Sequence, residues 1–263
     1  MMEISQRVSP KLSQTSNNIF LNEKLLARVK SIYDKKEQLN LSTEDAKLLE
    51  DLYESFKANG ATLNKDDKEK YRKLSMDLSM LTLQFDQNAL KDKNRFELLI
   101  TDENELSGLP ESARDAAAML AKSKDKDGWL FNLSAPSYIP FMRYSDKRDL
   151  REKMYREYMS VGNKGDEFDN KDIIKKIVNI RLEIAQLMGF KNYAEYALEH
   201  TMAKNSANVY KLLNQLLEAY KPIAINEYNA VEGFALGTEK ENITVMLGTG
   251  VIIPRSYGIS ASR

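Results

Sequence analysis

Apolar residues recur at helical spacing along most of the chain, with charged residues filling the opposite faces. Between 22 and 38, Leu25, Val29, Ile32 and Tyr33 share one face, which predicts an amphipathic helix. Ser42 stands as N-cap to a second, whose stripe of Leu48, Leu49, Leu52, Tyr53 and Phe56 runs to a stop at Gly60. Asn64 caps a longer helix carrying Tyr71, Leu74, Leu78, Leu81 and Phe85, with Lys65 to Lys73 supplying a solvated face. The period then changes. Phe96 to Ile100 and Trp129 to Leu133 are short apolar runs between turn-forming residues and predict two strands that pair. An alanine-rich helix over 111–122, begun after Pro110, separates them.

The aromatic, proline-punctuated stretch Pro136 to Tyr144 predicts an ordered, partly buried loop. Helices resume beyond it. Ser145 caps the run through Leu150, Met154 and Tyr158, and Asp169 caps Ile173, Ile177, Ile180, Ile184 and Leu187, with Gly189 as the stop. Asn192 opens a shorter helix with Glu195 at N3, a variant of the capping box, and Ser206 caps Val209, Leu212, Leu213, Leu216 and Leu217. The expected fold class is mainly α, a multi-helix lobe with a small β element in the middle. After Phe234 the charged helical pattern gives way to glycine and one apolar run, Val251 to Ile253. The expected organisation is a helical region over 1–233 and a divergent tail over 234–263.

Composition narrows the function classes. With 30% charged and 42% hydrophobic residues over 263 positions, the chain is long enough and apolar enough to bury a core. Lysine plus arginine equals aspartate plus glutamate at 39 each, and no basic block stands out, so no nucleic-acid partner is expected. No apolar run approaches the ~20 residues of a membrane span, and the opening MMEISQRVSPKLSQTS holds no signal-peptide core. A cytoplasmic protein without a membrane partner is the expectation, which makes the sequons at Asn40, Asn132 and Asn242 chance matches.

Candidate chemistry is sparse. The chain has one histidine, His200, and no cysteine, so the ligand sets of a catalytic zinc, usually three side chains with at least two histidines, cannot be assembled. No catalytic, cofactor-binding or metal residue is therefore assigned. His200 as general base to a serine lacks a nucleophile-elbow context, and a helix-end contact explains it more simply. Gly248-Thr249-Gly250 is a lone Gly-x-Gly without the strand, helix and distal acid of a dinucleotide site. Asp166, Glu167, Asp169 and Asn170 crowd together as calcium ligands do, but without the alternating spacing and terminal glutamate, and capping by Asp169 accounts for them. The aromatics from Phe131 to Tyr144 suit a core better than a binding groove.

Three long stretches carry a resemblance. GWLFNLSAPSYIPFMRYSDKRDLREKMYREYMSVGNKGDEFDNKDI, IVNIRLEIAQLMGFKNYAEYALEHTMAK and NVYKLLNQLLEAYKP resemble the thimet-oligopeptidase family of zinc metallopeptidases, most of all its bacterial peptidyl-dipeptidases. The earlier LNEKLLARVKSIYDKKEQLNLSTEDAKLLEDLYESFKANGATL fits the same group, so the likeness runs to about Gly233. It implies a two-lobed helical peptidase whose channel admits short peptides, with zinc held by a His-Glu-x-x-His helix and a downstream glutamate in the family's later half. No position here matches those residues. The resemblance thus implies an N-terminal-half fragment that forms part of the channel wall, is inactive alone, and binds no zinc itself. It also implies helices whose uncovered apolar faces promote self-association. The break after Phe234 has the look of a truncated or frameshifted reading frame. The alternative is a helical binding or scaffold protein derived from that family.

Overall fold

The computed structural model describes residues 2–238, with side chains from 3 to 233. Gly248-Thr249-Gly250, Val251 to Ile253 and Asn242 lie outside them. Ten α-helices and one two-stranded sheet follow in order among the described residues: α1 (Met2–Phe20), α2 (Glu23–Tyr33), α3 (Thr43–Ala58), α4 (Lys65–Arg95), β1 (Leu98–Ile100), α5 (Glu111–Lys122), β2 (Trp129–Phe131), α6 (Ala135–Tyr144), α7 (Arg148–Met159), α8 (Lys171–Leu187), α9 (Tyr193–Leu198) and α10 (Ser206–Thr238). The fold is mainly α. Chain contacts divide it into two units, one of residues 1–87 and 171–210, the other of 88–170 and 211 onward.

In the first unit, Ser42 and Asn64 cap α3 and α4 as the sequence predicts, and Asn22, which the sequence reading does not name as a cap, caps α2. Asn22 Oδ1 accepts from the Leu25 amide at 3.1 Å, Ser42 Oγ from Asp45 at 3.1 Å and Asn64 Oδ1 from Asp67 at 2.9 Å. The core gathers Leu21, Tyr71, Leu74 and Ile184, flanked by Leu63, Leu78, Ile180 and Tyr196. Phe20 meets Phe56 edge-on at 5.4 Å, and Tyr33 stacks on Tyr53 at 4.2 Å. The Tyr196 hydroxyl donates to the Ala58 carbonyl at 2.7 Å, tying α9 to the end of α3. α1 is an element the sequence reading leaves out, although Ile4, Val8 and Leu12 recur at helical spacing. It is held along α4 by a polar seam: Gln6 Nε2 donates to Gln87 Oε1 at 2.8 Å, Ser9 and Ser79 hydroxyls meet at 3.0 Å, and Asn17 Nδ2 donates to Ser75 Oγ at 2.8 Å.

The second unit is built on the short sheet. β1 and β2 pair antiparallel in the register Leu98 with Phe131, Leu99 with Leu130, and Ile100 with Trp129. Gly128 enters β2 at φ +111°, and a Cβ there would stand 2.4 Å from the Ile100 carbonyl oxygen, so only glycine fits. The inward side chains Leu98, Ile100 and Phe131 join Leu106, Leu109, Ala117, Leu133, Phe141, Met142 and Met154 in one core.

Several boundaries differ from the sequence reading, with β1 starting at Leu98, β2 ending at Phe131 and α2 ending at Tyr33, and one segment changes type. Pro136 to Tyr144 is helical, as most of α6, where a loop was expected. Pro136 sits in the first turn, where its missing N–H costs nothing. Pro140 lies inside the helix, a penalty of ~3 kcal/mol. Complete burial of Phe141 and nearly complete burial of Met142, each worth about 1.5–3 kcal/mol, offsets it. Ser145 does not cap α7, which starts at Arg148. It is wholly buried, and its carbonyl accepts from Arg151 Nη1 at 2.6 Å. α8 starts at Lys171, two residues after Asp169, whose Oδ2 accepts from the Gly165 amide at 2.6 Å. For α10 the cap is Asn205, whose Oδ1 accepts from the Asn208 amide at 3.0 Å, and Ser206 is its first residue. Asn192 does cap α9, accepting from the Glu195 amide at 3.0 Å.

Candidate functional site

The strongest polar constellation lies where the end of α4 meets the loop 160–170, within the second unit. Asn88, Asp92 and Arg95 recur at helical spacing on one face of α4, and each reaches a different point of that loop. Asp92 is completely buried. Its Oδ2 accepts the Gly162 amide at 2.7 Å, and its Oδ1 takes Arg95 Nε at 2.7 Å and Lys164 Nζ at 3.1 Å. Lys164 Nζ also donates to Glu157 Oε2 at 2.6 Å, while Arg95 Nη2 pairs with Asp166 and its guanidinium lies 5.1 Å from the centre of the Phe168 ring. Asn88 Nδ2 donates to Asn170 Oδ1 at 3.1 Å, and the Asn170 amide donates to the Gly162 carbonyl at 2.8 Å. Gly162 reverses the loop at φ +70°, with its amide aimed at the buried carboxylate.

Three of the four residues in the calcium-like cluster, Asp166, Asp169 and Asn170, take part in hydrogen bonds or ion pairs with the protein. Asp166 Oδ1 accepts from the Phe168 amide at 3.0 Å while its other oxygen faces Arg95, and Asp169 and Asn170 are engaged as above. Glu167 is exposed. Their oxygens point at donors of the protein rather than at one another. The Arg95 guanidinium, with help from the Phe168 amide, holds the Asp166 carboxyl below its ordinary pKa. Burial alone would lower the Lys164 ammonium, but Glu157 and Asp92 outweigh it and raise its pKa. The network is a structural brace.

His200 lines a shallow cleft of about 420 Å³ in the first unit, together with Lys47, Asp51, Glu54, Ser55 and Lys204. Its Nε2 lies 3.5 Å from Glu199 Oε2, and its side chain is 43% exposed. Among the described residues no hydrogen bond joins it to Ser55, so the helix-end reading fits the geometry better than a serine–histidine pair. The aromatics of Phe131 to Tyr144 enter the core. Phe131 and Phe141 pack edge-on at 4.8 Å, and Tyr138 stacks on Tyr158 at 4.3 Å. Among the described residues no three His, Asp or Glu side chains gather as a metal site.

What the molecule leaves uncovered is α10. No residue from 206 to 233 is buried, although Leu212, Leu213, Leu216, Leu217, Tyr220, Ile223, Ile225 and Tyr228 all lie on it. No described helix is long and apolar enough to cross a membrane.

The comparisons with known proteins place this helical framework in a family. A family model described as peptidase family M3 matches residues 141–244, a range that takes in α7 to α10. The chain is 34% identical to oligopeptidase A of Salmonella typhimurium over 239 residues, covering 89% of this chain and 35% of that protein. It is 36% identical to a probable cytosolic oligopeptidase A of Arabidopsis thaliana over 213 residues, 78% of this chain and 30% of that one. It is 29% identical to dipeptidyl carboxypeptidase of Escherichia coli over 233 residues, 88% of this chain and 34% of that one. The chain belongs to peptidase family M3. It spans about a third of the length of the curated relatives it matches.

Proposed function

We propose that this chain is the N-terminal portion of a zinc-dependent oligopeptidase or peptidyl-dipeptidase, acting in the cytoplasm. In the complete enzyme it forms part of the wall of a channel that admits short peptides, and alone it does not hydrolyse them. Residues 1–233 belong to that wall and 234–263 are the divergent tail of the sequence, although α10 runs on to Thr238 and the family match to 244. The observation that carries this reading is the pairing of a 239-residue match to oligopeptidase A with a chain that holds one histidine and no cysteine. Zinc that activates water needs about three protein ligands and an open position. His200, exposed beside Glu199 and the sole histidine of the sequence, does not begin such a set.

The test is metal analysis of the purified chain beside a quenched-fluorescent peptide assay with and without a chelator. The expected result is no stoichiometric zinc and no chelator-sensitive cleavage. Tightly held zinc with chelator-sensitive cleavage by this chain would refute inactivity.

A further inference from the structure

We infer that the apolar surface of α10 is the docking surface for the polypeptide making up the other two thirds of an M3 peptidase, an inference that rests on the reading just proposed. Three observations bear on it. Along α10 the eight large apolar side chains from Leu212 to Tyr228 expose between 42 and 62% of their surface, and nothing described in this chain covers them. A soluble helix does not carry such a face unpartnered. Nor is α10 an appendage, since it lies within the range that matches the M3 family model. Finally, the relatives that match 88–89% of this chain have about two thirds of their length beyond the match, and that is material to cover it.

The shape of the surface decides between that occupant and a second copy of the same helix. Before Pro222, Leu212, Leu213, Leu216, Leu217 and Tyr220 sweep an arc of about 140° around the axis at about 100° per residue. A helix pairing with its own copy covers a seam narrower than about 100°. One partner helix would leave part of the surface wet. Covering all of it takes at least two packed helices from a larger body.

The absence of cysteine from the sequence gives a clean probe, because Leu216→Cys introduces the only thiol. Leu216 is exposed, so the substitution disturbs no core. The full chain carrying it is labelled alone and dilute, then co-expressed with the part of Salmonella typhimurium oligopeptidase A that lies outside the match. The expected result is labelling at the rate of a free thiol alone, co-purification with the complement, and labelling slowed at least about tenfold in the complex. Adding Leu213→Asp and Leu217→Asp is expected to abolish co-purification while leaving the helical content of the chain unchanged. If the complement does not accumulate separately, the same thiol is read in one polypeptide joining the two parts.

A thiol that stays freely reactive in the folded complex or joined protein overturns the inference. So does one already protected in the dilute chain, whether as a monomer or as a stable dimer. Protection without chelator-sensitive peptide cleavage upholds the docking surface and sinks the peptidase reading. Cleavage with an unprotected thiol does the reverse.

Discussion

At the scale of single residues the chain concentrates its electrostatics on Asp92. A completely buried carboxylate is costly unless donors surround it, and here an amide, a guanidinium and an ammonium do so. Asp92→Ala would leave the Gly162 amide without its acceptor and the Lys164 ammonium with Glu157 alone, and is expected to lower unfolding free energy by about 3–5 kcal/mol. Asp92→Asn keeps an acceptor and should cost less, about 1–3 kcal/mol. Denaturant midpoints at neutral pH check both, in that order. Surface pairs such as Lys30 with Asp34, both about half exposed, contribute little by comparison.

The Arg95–Asp166 pair gives a pH dependence. Its folded carboxyl titrates below its unfolded counterpart, so the stabilisation is complete above the ordinary carboxylate range of about 4. It is lost as pH falls through the lowered value. Asp166→Asn should therefore flatten the acid limb of a stability–pH curve and leave the region from pH 6 to 8 with the same slope. An unchanged acid limb would show that the pair contributes nothing.

At the scale of elements, capping side chains and apolar spacing were good guides where they acted alone. Ser42, Asn64 and Asn192 all cap, and the helix over 111–122 has the bounds its alanines and Pro110 predict. Reading failed where a tertiary partner outbid the local signal. Ser145 has a cap-forming side chain, but it is wholly buried and its hydroxyl accepts from the Lys147 amide ahead of α7. Two prolines spoke for a loop at α6, and only the core contacts of Phe141 and Met142, invisible along the sequence, reverse that. Replacing Phe141 by alanine should cost about 3–5 kcal/mol. Pro140→Ala should raise stability by about 1–2 kcal/mol, the regained helical bond being partly offset by a freer unfolded chain. Thermal melts of the two variants should move in opposite directions. The Asp92 brace was half legible: Asp92 and Arg95 share a helix face in the sequence, but nothing there places Gly162 and Lys164 opposite them.

At the scale of the whole molecule the family was legible and the chemistry was not there to read. The M3 likeness is spread over long helical stretches instead of concentrated in a catalytic motif, and the model match and the oligopeptidase relatives carry it independently. Identity is higher with the oligopeptidases A than with dipeptidyl carboxypeptidase. The apolar residues of α10 looked like core in the sequence, since periodicity reports that a face needs cover and not which polypeptide supplies it.

The seam between α1 and α4 has its own consequence. Amides and hydroxyls hold that first helix, while Ile4, Leu12 and Ile19 point to solvent, so little dewetting free energy resists its detachment. α1 should peel away long before the molecule melts. Its amides are expected to exchange with deuterium fastest among the helices of the first unit, and a trace of protease should nick α1 itself, ahead of Phe20 and Leu21, which anchor its end in the core, while α4 stays whole.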